Sequence, residues 1–184
     1  KKARLVVREM ADALALDLVD KGLVTNQLVL TVGYDRENLD DPSRRQSYRG
    51  PVTTDRYGRK IPKHAVGTEN FPYTSSASDL LKAVSALYDR IVDENLLIRR
   101  LSISANKLLP EVDVPKDEAE QLDLFTDYAA KEQREQADEA AHARERKIQE
   151  AMLGIKKKFG KNAILKGMNL EEGATARERN ETCL

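Results

Sequence analysis

Two segments of this chain alternate between apolar and polar side chains, and each leaves one face that belongs in a core. From Gln27 to Tyr34, residues Leu28, Leu30, Val32 and Tyr34 fall on one side, while Val29, Thr31 and Gly33 fall on the other. From Leu96 to Lys107, Leu101, Ile103 and Ala105 point one way. Arg100, Ser102, Ser104 and Asn106 point the other, giving a face that is polar without being acidic. Side chains alternate at period two along a strand, so both segments predict strands of a sheet with one apolar and one polar face. Such a sheet takes helices on one side and leaves the other open.

Two helices are available for the apolar side. Between about Ala3 and Lys21, Val7, Met10, Leu14 and Leu18 recur at helical spacing, with Arg4, Arg8, Asp12 and Lys21 off that stripe and Gly22 as a C-terminal stop. Ser76-Ala77-Ser78-Asp79 resembles a capping box and opens an amphipathic run of Leu80, Leu81, Val84, Leu87, Tyr88, Ile91 and Val92. Lys63 to Tyr73 predicts a further strand, in which Gly67 and Pro72 suggest an edge or a bulge. The 28 residues before it hold Pro42, Gly50, Pro51, Gly58 and Pro62 among many arginines and predict no packed element. A loop of that length in a small domain is usually functional or mobile.

The expected fold is therefore α+β: a small mixed β-sheet with two helices packed on one face, followed by a linker and a long C-terminal helix. The expected divisions are 1–109, 110–126 and 127–184. The long helix spans about Asp127 to Phe159. Its first half is Ala, Glu, Gln, Arg and Lys, and Ile148, Met152, Ile155 and Phe159 stripe the second. At about 45 Å it outreaches a small domain. Its second half is expected to dock and its first to project, leaving 127–147 open to an accessory protein. Ala163 to Lys166 reads as a short strand after a stop at Gly160.

Charge bounds the partners. Lys+Arg and Asp+Glu balance at 31 each, which argues against a uniformly basic nucleic-acid binder. The distribution is uneven: residues 36 to 63 carry eight basic and four acidic side chains, whereas 110 to 127 is strongly acidic. The single cysteine, Cys183, excludes an internal disulfide and fits a reducing cytoplasm. No apolar run approaches a membrane span and the N-terminus is no signal peptide, so a soluble, cytoplasmic protein with no membrane partner is expected.

Gln121-Leu122-Asp123-Leu124-Phe125 resembles the motif by which bacterial polymerases and repair proteins dock onto the ring-shaped sliding clamp. Leu122, Leu124 and Phe125 can fill an apolar pocket, Gln121 and the extended backbone can hydrogen-bond to its rim, and Asp123 can stay in water. Upstream, Pro110 to Glu120 holds five acids, two prolines and one lysine, the composition of a semi-extended linker.

Lys63 to Ser76 with Asn70-Phe71-Pro72-Tyr73-Thr74, the capped helix, and then Leu97-Ile98-Arg99-Arg100-Leu101-Ser102-Ile103 resemble the little finger, or polymerase-associated domain, of Y-family lesion-bypass DNA polymerases. Lys156-Lys157-Lys158-Phe159-Gly160-Lys161-Asn162 and the tail Leu170 to Asn180 are similar to the C-terminal extension of its bacterial ImpB/MucB/SamB-like branch. The resemblance implies a four-stranded sheet, with one strand preceding the first helix, lying along template-primer duplex. It places Arg99 and Arg100 on the last strand and Lys63, Thr68 and Asn70 on the middle strand as DNA contacts, with Ser102 and Ser104 on the polar face. Arg59 and Lys60 join them from the loop on charge alone. It also implies two-metal chemistry with Mg²⁺ in a full-length polymerase. No palm motif, Gly-rich phosphate loop or zinc-spaced Cys/His cluster is present, so this chain is expected to be non-catalytic and to hold no cofactor of its own. His64 and His142 read as surface or sheet-edge residues. The alternatives are a free-standing helical adaptor with the pentapeptide in its core, and a small hydrolase using the Arg-rich loop, for which no nucleophile is evident.

Overall fold

In the computed structural model, residues 2–114 and 128–182 are described. The α+β expectation is met, with every ladder antiparallel rather than mixed. Helix α1 (Lys2–Lys21) ends at Gly22, whose φ of 64° is the left-handed cap that reverses the chain into β1 (Leu23–Tyr34). Strand β1 is central. It pairs with β4 (Ala65–Thr74) on one side and β5 (Ile98–Asn106) on the other. A fourth strand, β6 (Leu109–Pro110), pairs with Leu23 and Val24 of β1. Because Gln27 faces Asn106 and Val24 faces Leu109, β6 continues the β5 register beyond an interruption at Lys107, whose φ is 50°. The sheet is thus three strands wide.

The core lies between this sheet and two helices, α1 and α4 (Ala77–Ile91). Val7, Ala11, Ala15 and Leu18 of α1 meet Leu28, Leu30 and Val32 of β1 and Leu80, Val84 and Leu87 of α4, all at most 3% exposed. Ser76 caps α4 by accepting from the Asp79 amide. Gly67 is explained by packing: a Cβ there would stand 2.7 Å from side-chain carbons of Leu87 and Ile91, so α4 approaches β4 closely at that point. The strand also carries the expected edge position and register shift, between Thr25 and Gln27 of its partner.

The segment expected to lack packed elements contains four: α2 (Glu37–Asp40), α3 (Pro42–Ser47), β2 (Val52–Thr54) and β3 (Lys60–Pro62). They are too short to show a period, yet Asn38, Leu39 and Ile61 are buried. Asp41 caps α3, accepting from the amides of Ser43 and Arg44, which together with its bond from the Ser43 hydroxyl holds its carboxyl below the usual range.

Helix α5 (Tyr128–Phe159) docks by its second half, and residues 137–144 are exposed. The docking face follows the apolar stripe only in part, since Met152 is buried and Ile155 half-buried while Ile148 and Phe159 are exposed. Polar groups carry much of the contact. The Glu145 carboxylate accepts from the Ser78 amide at 2.8 Å and from the hydroxyls of Ser76 and Ser78, so it caps α4 from outside. Arg146 pairs with Glu111 at 3.0 Å, and Gln149 donates to the Ser75 carbonyl at 3.1 Å. These polar partners lie far away in sequence, which hides them from a periodicity argument.

Beyond the stop at Gly160 (φ 100°), residues 163–166 form a bend and an irregular stretch, not a strand, followed by a 3-10 turn (Gly167–Leu170) and α6 (Ala176–Thr182). This tail buries the second side of α1. Glu9, 2% exposed, accepts from the amides of Thr175 and Ala176 at the start of α6 and from Asn169. Asp12, expected off the buried stripe, is 6% exposed and pairs with Lys166 at 2.5 Å. The start of the expected linker is also built in: Glu111–Asp113 form a 3-10 turn, and the Glu111 amide donates to the Gly22 carbonyl.

Candidate nucleic-acid interface

The uncovered face of the sheet is a set of aligned rows. Gln27 of β1 stands between Asn70 of β4 and Asn106 of β5, Val29 between Thr68 and Ser104, and Thr31 between Val66 and Ser102. The first row is a hydrogen-bonded rung, in which Gln27 Nε2 donates to Asn70 Oδ1 at 2.8 Å and Asn106 Nδ2 donates to Gln27 Oε1 at 3.3 Å. Thr68, Asn70 and Ser104 are exposed and Ser102 is half-buried. No carboxylate stands in these rows. The acid of β4, Glu69, lies on the helix side and accepts from Arg90 at 2.7 Å. The expected positions of Thr68 and Asn70 are therefore brought to one face with Ser102 and Ser104. Their strand is the sheet edge and not its middle, and Lys63 precedes it.

At one end the rows meet a cluster of arginines. Gly33 faces Arg100, but Tyr34 faces Ile98, so Arg99 is an extra residue in β5. Strict alternation would have put Arg99 on the same side as Leu101, against the core. The bulge instead sends Ile98 toward the core and leaves Arg99 and Arg100 exposed, lining one pocket. Asn38 holds the strand start in this position. It is fully buried, its Nδ2 donates to the carbonyls of Leu97 and Asp35 at 2.9 and 2.8 Å, and its Oδ1 accepts from the Leu97 amide at 2.8 Å. One side chain thus satisfies both backbone groups of Leu97, as a neighbouring strand would.

The β2–β3 hairpin supplies the far wall. Asp55 Oδ1 accepts from the amides of Tyr57 and Arg59 at 2.8 and 3.0 Å, and its Oδ2 accepts from Arg59 Nε at 2.8 Å. The Arg59 guanidinium, then the backbone amides, hold this carboxyl down at about 2. Gly58, with φ 78°, closes the turn. The guanidiniums of Arg56 and Arg59 lie 4.7 and 4.9 Å from the Tyr57 ring centroid, and that ring is 65% exposed. His64 completes the rim beside Gly33. The open pocket between these walls is about 450 Å³.

Arg59 was expected here and is present, although Asp55 already neutralises it. Among the described residues Arg99 and Arg100 have no carboxylate partner. Lys60 and Lys63 are exposed but do not line the pocket, since Lys60 alternates with the inward-facing Ile61. Sequence reasoning missed Gln27, Arg56, Tyr57 and the bracket at Asn38. The one available signal was Asp55 with Gly58 and Arg59, a turn pattern that aims whatever stands between them. His142 is 3.3 Å from Asp79 and does not line the arginine pocket. Gln121, Leu122, Asp123, Leu124 and Phe125 lie outside the described residues. Among the described residues no group of His, Cys, Asp and Glu is placed to hold a metal ion, and no helix is long and apolar enough to cross a membrane.

Residues 1–124 match the model of the impB/mucB/samB family C-terminal domain. No curated protein and no solved structure matches the chain.

Proposed function

Because this chain belongs to the impB/mucB/samB family through its C-terminal domain, the little finger of Y-family polymerases, we propose that it grips template-primer duplex through its open sheet face during damage bypass. The observation that carries this reading is a polar sheet face whose rows hold no carboxylate and end at two arginines without a carboxylate partner among the described residues, in a chain whose acids and bases balance. Hydroxyls and amides of Thr68, Asn70, Ser102 and Ser104 are suited to phosphate and sugar oxygens. Arg99 and Arg100 supply charge, with Arg59, Lys60 and Lys63 nearby. Contacts of this kind position a protein on DNA without reading its sequence.

The proposal includes a tether: Gln121 to Phe125 docks onto the bacterial sliding clamp, with Leu122, Leu124 and Phe125 as anchors. The divisions 1–109, 110–126 and 127–184 then correspond to grip, tether and extension, and an accessory protein docks on the charged stretch 127–147. In the full-length polymerase, Mg²⁺ chemistry belongs to another domain. Amide chemical shifts followed during titration with a duplex test the grip. They are expected to move on β1, β4 and β5, and changes confined to α1, α5 and α6 would contradict it.

A further inference from the structure

We propose that the arginine pocket between the β2–β3 hairpin and the β5 bulge is a subsite for an unpaired nucleotide next to the duplex. The proposal rests on the duplex-grip reading and adds a second substrate element to it. The neutral rows of the sheet and the pocket differ in chemistry. Hydroxyl and amide groups in flat array suit the backbone of a duplex, whose bases are stacked and out of reach. The pocket instead presents an aromatic ring that is 65% exposed, with guanidiniums 4.7 and 4.9 Å from its centroid. Exposed π-surfaces beside arginines bind single strands, because every base has a face to stack while the phosphate goes to the cations.

Three features show that the pocket is built. Asp55 fixes the turn carrying Tyr57 through bonds to the Tyr57 and Arg59 amides and the Arg59 guanidinium. The β5 bulge brings Arg99 and Arg100 to the same space, and Asn38 anchors Leu97 just before it. Gly33 leaves room for His64 and Arg100 to close over the strand, with a Cβ there 3.2 Å from the His64 ring. The volume of about 450 Å³ falls within the range of about 300–1,000 Å³ of small-molecule sites. The assigned roles are Tyr57 with Arg56 as stacking surface and Arg99 with Arg100 as phosphate contacts. Arg59, paired with Asp55, acts as a positioning residue.

The test is fluorescence anisotropy of the 184-residue chain with a blunt duplex and with the same duplex carrying a short single-stranded overhang. The overhang is expected to tighten binding about fivefold or more, in line with one stacked base. Tyr57→Ala is expected to abolish that preference while leaving blunt-duplex affinity unchanged, and Tyr57→Phe, which keeps the ring, is expected to retain it. Equal binding of both DNAs by the parent, or a preference that survives Tyr57→Ala, overturns the subsite while the duplex grip stands. No binding to either DNA overturns both readings. Circular dichroism of each variant, expected unchanged for so exposed a residue, separates loss of the ring from loss of the fold.

Discussion

The imidazole of His64 stands 3.2 Å from the place a Cβ would occupy on Gly33. Gly33 has no left-handed backbone to protect, so its lack of a side chain serves this contact and the adjoining Arg100. The His64 ring is exposed and can swing aside, while the Arg100 Cβ, at 3.4 Å, is in ordinary contact. Gly33 is itself buried, so only the smallest side chain is accommodated: Gly33→Ala is expected to change stability by no more than about 0.5 kcal/mol, while displacing the His64 ring of the proposed interface. Thermal unfolding and duplex anisotropy on the same sample check this. The expected pair of results is a nearly unchanged Tm and weakened binding.

Gly67 gives the opposite pattern. A Cβ there meets Leu87 and Ile91 at 2.7 Å, and Leu87 is fully buried. Gly67→Val is expected to push α4 off β4 at a cost of about 1–3 kcal/mol, the usual penalty for overpacking. Urea denaturation should show the midpoint falling with little change in slope.

Glu145 makes docking of the long helix dependent on pH. Burial raises its pKa, but hydrogen bonds from the Ser76 hydroxyl and the Ser78 amide and hydroxyl outweigh that, and the net direction is downward. A carboxyl depressed on folding stabilises above its unfolded pKa, near 4.3, and that contribution is lost as pH falls through the folded value. Glu145→Ala is expected to cost about 1–2 kcal/mol at pH 7, as for loss of a helix cap, with the difference from the parent shrinking below about pH 4. An equal difference at pH 7 and pH 3 would remove the charge from this account.

The tether has its own test. Phe125→Ala is expected to weaken binding to an isolated sliding clamp roughly thirtyfold, the equivalent of about 2 kcal/mol for a buried aromatic anchor, with Leu124→Ala similar. Asp123→Ser is expected to change little. Surface plasmon resonance with immobilised clamp measures all three, and undiminished binding by the Leu124/Phe125 double alanine variant would contradict the tether.

The elements legible in the sequence were those long enough to repeat: the apolar side of β1, the α4 stripe, and the β5 alternation that puts Ser102 and Ser104 on the open face. What escaped was held by single side chains acting across the fold. Asn38 stands in for a strand beside Leu97, Glu145 caps a helix far from it in sequence, and Glu9 serves the start of α6 from the middle of α1. None of these leaves a period. The Arg99–Arg100 pair was legible as charge, but its convergence depends on a one-residue bulge that alternation alone cannot locate. Asp12 was placed off the buried stripe and Glu9 left no signal, because the partners of both lie beyond residue 160.

The central claim is that a sequence-blind phosphate grip ends at Arg99 and Arg100, and salt dependence tests it most directly. Each phosphate neutralised contributes about 0.9 to the slope of log affinity against log salt on duplex DNA. Anisotropy of the parent and of the Arg99→Ala/Arg100→Ala variant, on two unrelated primer-template duplexes across a salt series, gives that slope. The predicted result is near-equal affinity of the parent for both duplexes, and a variant slope shallower by up to about two units on each. An unchanged slope, or a strong preference for one duplex, would contradict it.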